Sequence, residues 1–130
     1  MSSKTSAIPA GYSDIPAGHI ASVVTCLEMR QKPDIAPRAL PEGFTLERYT
    51  GGSLDQYRAL FRTVGTDWLW FPRLLMSDEK LTAVLRTATL AIYVIRHHGE
   101  DVGLMELDFG VPAEAALAYL GLVSGTTGQG

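Results

Sequence analysis

At 130 residues, with 46% hydrophobic and 19% charged residues, the chain has the size and composition of one globular domain, long enough to bury roughly two-thirds of its unfolded surface. A formal net charge of -3 gives no basic face of the kind that nucleic acid or an anionic membrane attracts, so neither partner is expected. Cys26 is the single cysteine, which excludes an intrachain disulfide, and no Cys and His cluster has metal-ligand spacing, so no metal site is expected.

The first twenty residues lack the charged start and continuous apolar core of a signal peptide, and no run approaches about twenty apolar residues, so a soluble cytoplasmic protein is expected. They hold an imperfect repeat, Ile8-Pro9-Ala10-Gly11 and Ile15-Pro16-Ala17-Gly18, whose prolines and glycines suit extended chain and turns. Residues 1–20 are therefore read as an extended N-terminal segment and 21–130 as the domain. Ala21 to Met29, rich in β-branched residues, predicts a first strand with Cys26 as a small core residue, followed by a loop with Pro33, Pro37 and Pro41. Phe44 to Thr50 predicts a second strand.

Ser53, three residues before Gln56, opens a capping box, and Leu54, Tyr57, Leu60, Phe61 and Val64 form one apolar stripe before Gly65, which predicts a helix. In the aromatic segment Asp67 to Pro72, a short helical turn or loop, at least two of Trp68, Trp70 and Phe71 are expected in the core, the alternative being an acceptor pocket. A second helix is expected from Ser77, with Asp78 and Glu79 at its positive end and Leu81, Val84 and Leu85 facing inward.

From Leu90 the period changes to that of strands. Leu90 to His97, a hairpin turn at His98-Gly99-Glu100-Asp101, Val102 to Phe109, and Ala115 to Val123 complete the order. His97 and His98 are read as solvent-facing residues beside the turn. Two strands, two helices and three strands predict an α+β fold, a mixed and mainly antiparallel sheet with helices packed on it. The last strand is apolar on both faces, with Leu117, Tyr119 and Val123 on one and Ala118, Leu120 and Leu122 on the other. As an open edge it invites pairing with a second copy or another chain.

The strand then enters a glycine-rich loop, Ser124-Gly125-Thr126-Thr127-Gly128-Gln129-Gly130, whose backbone N–H groups suit a pyrophosphate. The segments VVTCLEM, GTDWLWF, GLMELDF and AYLGLVSGTTGQG, in this order, resemble the N-terminal part of the GNAT superfamily of acyl-CoA-dependent N-acetyltransferases. In that superfamily the loop reads R/QxxGxG/A; aligned here, Thr127 takes the first place, departing from Arg or Gln, and Gly130 the fourth. The resemblance implies acetyl-CoA as cosubstrate, held by Leu120, Leu122, Val123, Gly128, Gln129 and Gly130, and a small-molecule or peptide amine as acceptor. It also implies that the chain stops inside the loop, lacking the helix and strands that follow, and is inactive alone.

In such enzymes the acceptor amine attacks the thioester while strand amides polarise its carbonyl, and a carboxylate takes the ammonium proton. Glu106 is the candidate, on one face with Asp108; Glu114 is a second. The structural alternative for Glu106 is a solvated carboxylate or an ion pair with Arg96. No GxSxG or GxxxxGK[ST] motif is present. A non-catalytic module that assembles through its open sheet edge is the competing function.

Overall fold

A computed structural model describes residues 10–128. The chain divides into two units, Met1–Ala36 and Pro37–Gly130. Residues 10–36 contain turns and bends but no helix or strand. The expected strand from Ala21 to Met29 is thus not formed: Val23, Val24 and Leu27 are exposed, and so is Cys26, which is not a core residue. β-branched residues favour a pleated, half-buried surface only when a neighbouring strand supplies the ladder. This stretch has no such neighbour among the described residues.

In the second unit the order is β1 (Phe44–Arg48), α1 (Leu54–Gly65), two 3-10 turns (Thr66–Trp68 and Pro72–Leu75), α2 (Asp78–Leu85), β2 (Leu90–His97), β3 (Glu100–Asp108) and β4 (Ala116–Leu122). Both helices begin where local chemistry satisfies their first free N–H groups. The Ser53 hydroxyl accepts from the Gln56 N–H, and the Ser77 hydroxyl accepts from the Lys80 N–H at 3.3 Å. Helix α1 runs to Gly65, where a Cβ would lie 2.4 Å from Trp70 Cβ. Glycine at that position lets the chain fold back closely enough for the Trp70 N–H to donate to the Gly65 carbonyl.

The four strands form an α+β sheet in the order β1-β2-β3-β4, every neighbouring pair antiparallel. The β2–β3 turn is tighter than expected: His98 and Gly99 both stand at positive φ, the geometry of a two-residue hairpin turn, so β3 starts at Glu100. Side-chain alternation then gives the sheet two distinct faces. Leu90, Ile92, Leu104 and Glu106 lie buried on the helix side, where Tyr57, Phe61 and Leu81 close the core. The other face carries Leu46, Leu117 and Leu120, all exposed.

Of the aromatic segment only Trp70 joins the core, with Phe61 and Tyr119 around it at ring-centre distances of 5.5 and 4.9 Å. Trp68 and Phe71 are exposed. The expectation of two core aromatics fails because the Thr66–Trp68 turn carries Trp68 outward, and Phe71 caps the next turn from outside. No helix among the described residues is long and apolar enough to cross a membrane.

Candidate functional site

Glu106 faces the helices because it follows Leu104 by two residues along β3. It lies opposite Ile92 of β2 and Tyr119 of β4, immediately before a break in the β3–β4 register. Its side chain has no solvent exposure. A buried carboxylate needs partners for both oxygens, and both are present. The Tyr57 hydroxyl donates to Oε1, and Arg73 Nη2 donates to Oε2 at 2.8 Å. Both structural alternatives read from sequence are thereby replaced: Glu106 is not solvated, and its cation is Arg73. Arg96 instead bridges Glu47 and Asp101 on the surface.

Each partner reaches Glu106 for a local reason. Tyr57 belongs to the apolar stripe of α1, so burial of the stripe carries its hydroxyl inward with the ring. Arg73 comes from the Pro72–Leu75 turn. Its guanidinium carbon sits 5.5 Å from the centre of the Tyr119 ring, within range of a cation–π contact. Burial raises the Tyr57 phenol far above its usual range, and the Glu106 charge pushes it further. For Arg73, burial acts to lower the pKa, but the hydrogen bond and charge of Glu106 outweigh it and the net direction is up. Burial also raises Tyr119. The result is a fixed anion holding a cation and a neutral phenol, with no carboxylate oxygen offered to solvent. Neither Tyr57 nor Arg73 was singled out from sequence. The signal for Tyr57 was a hydroxyl on a stripe that must be buried; Arg73 carried none.

The second set of expected residues lies at the end of β4. The Val123 N–H donates to the Val102 carbonyl at 2.7 Å, so strand alternation turns the backbone N–H groups of Leu120 and Leu122 toward the open edge. Of the three residues expected to present amides, two therefore face outward and Val123 is engaged within the sheet. The following loop turns at Gly125 and Gly128, at φ 88 and 78°. Gln129 and Gly130 lie outside the described residues. Asp108 is exposed and accepts from the Gly110 N–H at 2.8 Å, and Glu114 is exposed beyond β3.

Two hollows flank the end of β4. One, of about 250 Å³, is apolar and includes Phe44, Ile95, Leu120, Leu122 and Gly128. The other, of about 220 Å³, has Asp67 and Trp68 on one wall and Gly121, Leu122 and Ser124 on the other. Gly121 makes this approach possible, since a Cβ there would meet Val64 Cγ1 at 2.6 Å. A larger polar hollow of about 440 Å³ lies apart from these, around Arg48, Gly51, Gly52 and Arg86. Compared with protein-family models, with curated proteins and with solved structures, the chain matches none.

Proposed function

We propose that this chain carries the acyl-binding strand of an acetyl-CoA-dependent N-acetyltransferase of the GNAT kind, with an amine as acceptor and the cytoplasm as its setting. The observation that carries the reading is the end of β4. There, two outward backbone N–H groups, at Leu120 and Leu122, lead directly into a loop with Gly125 and Gly128 at positive φ. Outward amides on a rigid strand suit the carbonyl oxygen of a thioester. A loop of turned backbone suits the pyrophosphate of the same cosubstrate. The element order from Phe44 onward is also the order that the sequence resemblance implies. An exposed, free Cys26 fits a reducing compartment.

In the proposed reaction the amine nitrogen lone pair attacks the thioester carbonyl carbon, forming the C–N bond. The carbonyl oxygen takes up the negative charge against the Leu120 and Leu122 amides. Collapse breaks the C–S bond and the thiolate leaves, and the proton lost by the amine passes through water to solvent or to the thiolate. Glu106 enters as the buried charge that fixes Arg73 and Tyr57 beneath β4. Its lack of exposure weighs against direct contact with the acceptor.

The open edge of β4 favours a second reading, a non-catalytic module that pairs with another copy. Leu117 and Leu120 are 54% and 53% exposed there, and Ala116–Leu122 contains no charge to discourage pairing. Titration calorimetry with acetyl-CoA, run beside sedimentation over a range of protein concentrations, separates the two. Saturable micromolar heat from a monomer supports the transferase reading. Absence of heat together with concentration-dependent dimerisation overturns it in favour of assembly.

A further inference from the structure

The hollow between the Thr66–Trp68 turn and the end of β4 holds two groups that the fold leaves unused. Asp67 is exposed, and its carboxylate makes no hydrogen bond or ion pair with any described residue. Trp68, at 68% exposure, contributes an indole face that the core does not bury. Both are held in place by backbone. Leu69 adopts the left-handed conformation at φ 57°, and its N–H donates to the Thr66 carbonyl, closing the turn. A leucine in that region costs on the order of 1 kcal/mol, so the turn is maintained by its surroundings: the Trp70 N–H bonds to the Gly65 carbonyl and the Trp70 ring packs beneath Gly121. The turn thus places Asp67 and Trp68 along the same hollow as the strand that carries the Leu120 and Leu122 amides.

We infer that Asp67 and Trp68 form a binding subsite for a small alkylammonium group at the end of β4. A carboxylate attracts the cation, the indole face adds a cation–π contact, and the apolar wall of Val64 and Leu122 takes the hydrocarbon stem. At about 220 Å³ the space lies below the usual range for drug-sized ligands, which selects a short-chain amine. The assignment deepens the transferase reading and rests on it for the role of the bound amine as acceptor. Its recognition chemistry stands on the hollow itself. The two hollows sharing Leu120 and Leu122 then divide the work, with the ammonium on the Asp67 side and the apolar side left to the acyl donor.

The test is an NMR titration of the full chain with n-butylammonium, with n-butanol as the neutral control and acetyl-CoA in a separate arm. We expect n-butylammonium to shift the Trp68 indole and the Leu120–Leu122 amide signals saturably, and n-butanol to leave them in place. Asp67→Asn is expected to weaken the amine about fivefold, the scale of one exposed charge interaction. Trp68→Leu should weaken it by a similar factor. Equal affinity in Asp67→Asn, equal shifts with n-butanol, or shifts confined to another part of the chain overturn the subsite. If acetyl-CoA binds and the amine does not, the subsite falls while the transferase reading stands. If the amine binds at Asp67 and acetyl-CoA does not, the reverse holds.

Discussion

Replacing Arg73 by methionine removes the cation from a carboxylate that has no exposure, while keeping an unbranched hydrocarbon side chain at the position. Breaking a buried ion pair by deleting one partner typically costs about 3–5 kcal/mol. Arg73→Met is therefore expected to lose about 3–5 kcal/mol of stability at neutral pH, a large share of the ~5–15 kcal/mol typical of a folded domain. Urea unfolding followed by far-ultraviolet circular dichroism measures it. The double variant Arg73→Met with Glu106→Gln should recover part of the loss, because no unpaired charge is left inside. A loss of less than about 1 kcal/mol, the scale of an exposed pair, would mean that the carboxylate is solvated, and a double variant worse than the single one would mean that packing, not charge, sets the cost. Either result refutes the argument.

Tyr57→Phe leaves Oε1 of Glu106 without its phenol donor and is expected to cost about 1–3 kcal/mol at pH 7, read from the urea midpoint. The same variant should flatten the alkaline limb of the stability curve. The folded Tyr57 phenol lies above its unfolded value, so its contribution is fully present below about pH 10 and is lost above it, as the unfolded chain ionises and the folded one does not, by ~1.4 kcal/mol per pH unit. Tyr49 and Tyr119 are raised as well, so Tyr57→Phe should reduce the slope by about one proton without abolishing it. Gly65→Ala places a methyl group 2.4 Å from Trp70 Cβ, an atom that cannot rotate away. We expect a loss of about 1–3 kcal/mol and a changed Trp70 fluorescence; a neutral effect would mean that the turn after α1 is looser than the geometry shows.

The sequence by itself determined the two helices, the hairpin and the α+β class. Each depends on interactions a few residues apart: Ser53 with Gln56, Ser77 with Lys80, and a period that changes at Leu90. Such short-range signals need no knowledge of what packs where. Tertiary structure decided the rest. Ala21 to Met29 has strand-forming residues but no partner strand among the described residues, and so forms no strand. Glu106 looks from sequence like any carboxylate on an alternating strand, yet it lies on the buried face and is tolerated there because Arg73 and Tyr57, 33 and 49 residues away in the chain, converge on it. Asp67 and Trp68 gain their position opposite β4 only when Gly121 lets the strand approach α1. Caps and periods are written in neighbouring residues. The partners of a buried charge and the walls of a hollow are contributed by distant ones, and the folded backbone alone brings these together.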